Sequence, residues 1–190
     1  MVERATELDA LRRSAEFDVV IPNWTMGTIE LGQLTALIDA VASGIGLAGL
    51  HGGMGDAFRS CTEYQFVVGG QFVAHPGPGD RRYSVDFVPG FELTAGLSGF
   101  EIATEKYYLH VDPAIRVLAT TAFEDFGDAI MPVAWTKTWG DGRVFYWSLG
   151  HDPEVVAHPV GLEFLIRGIE WAATRGSVMQ GASFGEVYGS

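Results

Sequence analysis

Apolar and polar positions recur with two different periods along the chain, and each change of period marks an element. Glu7 to Glu16 reads as the end of an amphipathic helix, with Leu8, Leu11 and Ala15 on one stripe. Asp18 to Pro22 follows as a short apolar strand, the pattern of a strand covered on both faces. Thr28 to Ala42 is the clearest helix: Leu31, Leu34, Ile38 and Val41 recur at helical spacing, Thr28 is its predicted cap, and Ser43-Gly44 ends it. Ile45 to Leu50 is a second buried strand, broken by His51-Gly52-Gly53, so strand, helix and strand form a βαβ unit. Asp56 to Val68 reads as a further helix, and Arg82 to Val88 and Arg116 to Ala122 as strands, with Phe100 to His110 extended. Pro132 to Trp139 and Arg143 to Leu149 flank Gly140-Asp141-Gly142, a hairpin signature. The last helix spans Pro159 to Ala173, with Leu162, Leu165, Ile166 and Ile169 expected to face inward. The pattern describes one domain over residues 1–173 and a small, polar C-terminal tail over 174–190. Its architecture is a three-layer α/β fold with late antiparallel strands.

Composition narrows the partners. The 190 residues are 47% hydrophobic and 19% charged, which excludes disorder throughout the chain. Twenty-four acidic against 12 basic side chains give a formal charge of −12, which disfavours nucleic acid and anionic membrane surfaces as partners. No apolar run approaches the roughly 18–20 residues that span a bilayer, and the N-terminus lacks a signal-like pattern. Cys61 is the only cysteine, which suits the cytoplasm.

The candidate chemistry lies at glycine-flanked strand ends. Open α/β sheets bind ligands beyond the carboxyl ends of their strands. His51 follows the buried run Gly46 to Leu50, and His151 follows Phe145 to Leu149 and Gly150. Two imidazoles so placed can meet at one site; the alternative is a capped loop histidine in each case. His75 is a third ligand or a surface loop residue. Glu105 stands where apolar residues should dominate, and a carboxylate there wants a partner. Read as a metal set, His51, His75 and His151 with Glu105 or Asp152 suit zinc or manganese, although their spacing is not that of a compact metal motif. His110 and His158 read as surface or helix-cap residues. Trp24, Trp135 and Trp139 lie at strand ends or turns, where flat aromatic faces suit a sugar ring or line a rim or interface. Asp56 reads as a helix cap, and residues 123–128 as a solvated acidic turn.

These motifs resemble a known family. Gly46 to Gly53, Gly69 to Pro76, Thr104-Glu105-Lys106-Tyr107, Pro132 to Asp152 and Gly168 to Ala172 are similar to segments of the ThuA-like (trehalose utilization) family, and the resemblance runs from about Glu7 to Ala173. It implies a flavodoxin-like sandwich of the class I glutamine amidotransferase type, with a mostly parallel sheet. Relative to that pattern the first βα unit is missing: either the start is artificially late, or the gap is closed by rearranged pairing or by a partner chain. His51 occupies the turn where an amidotransferase carries its cysteine, and imidazole cannot form the thioester that glutamine hydrolysis needs.

The resemblance instead implies carbohydrate metabolism. It points to a sugar-processing enzyme (isomerase, lyase or hydrolase) in which His51, His151 and Glu105 are catalytic. His75, Tyr107, Asp152, Trp24 and Trp135 would bind the substrate. The expected cofactor is at most a divalent zinc or manganese ion on His51, His75 and His151. The partner is a small sugar, and the chain is expected to form a homo-oligomer. The alternative is a noncatalytic sugar-binding or assembly subunit on the same fold; Phe91, where the family carries a histidine, favours it.

Overall fold

The fold is a computed structural model, described here for residues 2–175. The predicted elements form nearly where the pattern puts them. A 3-10 helix over Leu8–Glu16 leads into β1 (Val19–Val20), α1 (Leu31–Ala42) and β2 (Gly46–Leu50). The sharp turn at His51 begins α2 (His51–Gly55), followed by α3 (Thr62–Val68) and β3 (Gly70–Ala74). Next come β4 (Arg82–Phe87), β5 (Phe100–Ala103), β6 (Tyr108–Val111) and β7 (Arg116–Phe123). The hairpin β8 (Ala129–Trp139) and β9 (Gly142–Trp147), then α4 (Pro153–Val156) and α5 (Pro159–Ala173), complete the order.

Local chemistry moves several boundaries. The first long helix starts at Leu31 rather than near Thr28, because Glu30 and Gln33 form a reciprocal capping box. The stretch predicted as one helix over 56–68 is helical only from Thr62. Asp56, expected as a helix cap, is the C-cap residue of α2; it is buried, and Arg59 grips both its oxygens at 2.7 and 2.8 Å. Residues 100–110 break into two strands of different sheets around Thr104 to Tyr107. On α5 the inward residues are Phe164, Leu165, Gly168 and Ala172, whereas Leu162 and Ile166 are exposed. Gly168 lets the helix touch the sheet, since a Cβ there would stand 2.2 Å from the Phe145 ring.

The main sheet runs β1-β2-β9-β8-β7-β4-β5, and β3 and β6 pair separately. β1, β2 and β9 are parallel, and every pairing from β9 to β5 is antiparallel. The late antiparallel strands therefore make up more of the sheet than a mostly parallel sandwich has, because hairpin-like returns replace helical crossovers after α3. β1 pairs directly with β2, so no gap separates them. Strand alternation builds two cores. Leu47, Val144, Tyr146 and Trp135 face α1 and α3, whereas Ala48, Phe145 and Trp147 face α5. Apart from Thr174 and Arg175, the expected tail lies outside the described residues. Among the described residues no helix is long and apolar enough to cross a membrane.

Candidate functional site

Topology brings the chemistry to one end of the sheet. β2 and β9 are parallel, and four successive antiparallel pairings return β5 to their direction. The residues that follow these three strands, His51, His151 and Glu105, therefore emerge on the same side.

His51 sits in a tight strand-to-helix turn with φ of +48°, a left-handed conformation that a non-glycine residue adopts only at some cost. Its neighbours must be small. A Cβ on Gly53 would lie 2.5 Å from Asn23 Oδ1, and Gly150, with φ of +140°, would drive one to 2.1 Å from Leu50 Cδ1. Tyr146 holds the turn from below, its hydroxyl donating to the His51 carbonyl at 3.2 Å.

Around this turn the side chains converge. Glu105 Oε2 lies 3.3 Å from His51 Nε2 and 3.3 Å from His151 Nδ1, and Glu105 Oε1 lies 3.8 Å from His75 Nε2. One ligand atom each from His51, Glu105 and His151 falls within 4.8 Å of the others. Tyr107 packs its ring at 4.3 Å on His51 and sets its hydroxyl 3.0 Å from His51 Nδ1. A Cβ on Gly52 would lie 3.1 Å from the same hydroxyl. His51 Nε2 is buried and, despite its nearness to Glu105, has no hydrogen-bond partner among the described residues. A buried ring nitrogen without a partner is rare, and it points at the carboxylate. Two imidazoles and a carboxylate thus offer a group of ligand atoms that could hold a divalent cation, with Tyr107 packed behind one of them.

The electrostatics keep these groups in useful forms. Burial pushes His51 down to about 4, with His151 and His75 adding to the effect, so it is neutral at pH 7. Burial, then the charge of Glu105, pushes the Tyr107 hydroxyl up, so it stays protonated. The His51 shift has a consequence for stability. The unfolded chain takes up this proton near pH 6.5, but the folded chain takes it up only near 4, so stability falls as pH drops through that window. In metal-free protein the wild type should lose up to about 3 kcal/mol from this group between pH 6.5 and 4. His51→Asn, which tolerates the left-handed turn, should remove that slope in urea titrations.

Other expected site residues lie elsewhere. Trp135 is not at a rim: it is fully buried, donates Nε1 to the Val68 carbonyl at 2.9 Å and packs on Tyr146 at 4.4 Å. Strand β8 carries it into the core, which corrects its assignment to substrate binding. Trp24 is half-buried against Gly27 and the helix-side core, and Trp139 packs on Phe66. Asp152 is exposed and caps α4 through its backbone, outside the convergent ligand set. His158 caps α5 and stacks on Phe100, while His110 is exposed on β6. Sequence reasoning passed over Tyr146, Arg59 and Lys106. Only the place of Lys106 between Glu105 and Tyr107 offered a signal for it.

Comparison with known proteins bears on the family and the fold. The ThuA family, described as trehalose utilisation, matches residues 2–172. A ThuA-like protein from Parabacteroides merdae has a similar structure, with a TM-score of 0.68 at 19% identity over 88% of this chain and 74% of that one. Another from Bacteroides uniformis gives 0.73 at 18% identity, over 88% and 75%. A β-galactosidase from Bacillus circulans gives 0.55 at 16% identity, over 82% of this chain but 22% of the enzyme. No curated protein matches the chain. With nearly its whole described length matched, the chain belongs to the ThuA (trehalose utilisation) family.

Proposed function

We propose that this protein is an enzyme of carbohydrate metabolism, acting in the cytoplasm on a small sugar or keto-sugar through His51, Glu105 and His151. A zinc- or manganese-type ion held by these three residues completes the reading. One observation carries it: a single carboxylate oxygen lies 3.3 Å from two imidazole nitrogens, one of them buried without a hydrogen bond. The ion would supply a Lewis acid for a sugar carbonyl or hydroxyl. The chain's own residues do the rest. Neutral His51 presents its Nε2 lone pair, with Tyr107 holding Nδ1 and Tyr146 holding the backbone. His151 and His75, both half-exposed, face the approaching substrate, where an imidazole nitrogen not on the ion can hydrogen-bond a sugar hydroxyl. Glutamine hydrolysis is not part of the proposal, because the turn carries an imidazole and no thiol.

The test begins with metal analysis of purified protein, followed by calorimetry and turnover assays with mono- and disaccharides. His151→Ala is expected to lower turnover by at least about 1,000-fold while leaving the melting temperature unchanged. Unchanged turnover removes His151 from the mechanism. Sugar binding without turnover in the wild type supports a binding subunit instead.

A further inference from the structure

Glu105 reaches the imidazoles from a short connection between two strands of different sheets, and such a segment needs its own anchors. Lys106, the next residue, is 1% exposed although it carries a charge. Its ammonium donates to the Ala122 carbonyl and lies 3.3 Å from Glu124 Oε2. The faces of Phe123 and Tyr83 flank it, with ring centroids at 4.6 and 5.1 Å. Tyr83 returns to the same segment by donating its hydroxyl to the Glu105 carbonyl at 3.0 Å. Thr104 donates its backbone N–H to Arg81 at 3.0 Å, and Tyr107 bonds His51. Each residue from Thr104 to Tyr107 is thus tied to a different neighbour.

From this arrangement we infer that Lys106 is a positioning residue: its buried ammonium fixes the register of residues 104–107 and so aims the Glu105 carboxylate at His51, His75 and His151. The inference rests on the proposed site, but its physical basis is separate. A buried lysine is tolerated only where its charge meets a carbonyl, a carboxylate and aromatic faces together. For this segment that set is supplied by the end of β7, where Ala122, Phe123 and Glu124 are consecutive. Moving the segment by one residue would take the ammonium away from these partners and put Glu105 among them. The charge on the far side of the loop therefore acts as a key for the carboxylate on the near side. Tyr83 is shared, its ring flanking the ammonium and its hydroxyl holding the Glu105 carbonyl, so Lys106 acts on the site through the backbone and through Tyr83.

The test uses the full chain with two substitutions. Lys106→Met keeps most of the stem and removes the ammonium. Glu124→Gln is an exposed change that takes the charge from one of its partners. In metal-free Lys106→Met, the imidazole NMR resonances of His51, His75 and His151 are expected to shift, while those of His110 and His158 stay in place. Zn2+ binding by titration calorimetry is expected to weaken about 10–100-fold. Glu124→Gln should move the same resonances in the same direction by less. A folded Lys106→Met protein with wild-type site resonances overturns the assignment. Should Lys106→Met fail to fold, Glu124→Gln decides: a shift confined to the three site histidines supports it, and unchanged resonances overturn it. Wild-type protein that binds no Zn2+ sinks the metal reading alone, because the metal-free resonances still judge Lys106.

Discussion

Glu105→Gln is expected to weaken Zn2+ or Mn2+ binding by more than about 100-fold and to reduce turnover in parallel. The amide keeps the shape of the carboxyl but removes the charge that three imidazole nitrogens surround at 3.3, 3.3 and 3.8 Å. Residues that only orient a ligand are worth roughly 10–100-fold in affinity, so losing an anionic ligand should exceed that range. The amide also cannot compensate the buried His51 nitrogen and a cation together. Titration calorimetry reads the affinity, and a thermal melt checks that the fold survives. Glu105 is only partly buried and lies outside both hydrophobic clusters, so the melt should change little. Wild-type affinity in this variant would remove Glu105 from the ligand set.

Trp135→Ala tests the opposite kind of residue. It is expected to destabilise the fold by about 3–5 kcal/mol, the range for emptying a fully buried aromatic site. Two losses combine: the cavity left beside Tyr146, and the Val68 carbonyl deprived of its donor. Trp135→Phe separates them, since it keeps most of the ring and should cost about 1–3 kcal/mol through the orphaned carbonyl. Urea denaturation measures both. Sugar affinity in the folded fraction should be unchanged, and a selective loss of affinity at full stability would return Trp135 to the pocket.

Trp135 shows where reading a sequence by residue type fails. Its position near a predicted strand end suggested a rim, but β8 begins at Ala129 and runs to Trp139, so Trp135 falls within the strand. The strand's alternation, not the residue's affinity for sugars, decides which way it points. Glu30 and Thr28 make the same point on a smaller scale. Both can cap a helix, and the partner three residues on, Gln33, selects Glu30. Helical period puts Leu162 and Ile166 inward, yet the stripe on α5 is rotated because Gly168 lets Phe145 approach there.

The site itself was partly legible. His51 and His151 could be found because strand ends are marked by glycine, and a polar residue just after a buried strand emerges at the sheet's rim. Glu105 drew notice as a charge in an apolar run. His75 could be named but not placed. Lys106 remained hidden, because a lysine in a sequence looks solvated until the partners that replace water are known.

The order of apolar residues by itself determined the βαβ start, the hairpin of β8 and β9, the final helix and the two histidine turns. These depend on neighbours within a few residues, where period, caps and glycine act directly. Only the tertiary structure decided that Glu105 meets the imidazoles, that Trp135 is core, and that antiparallel pairing prevails beyond β9. Those outcomes join residues up to 67 positions apart, and which partner each finds is set by the folded chain's packing, not by local preference.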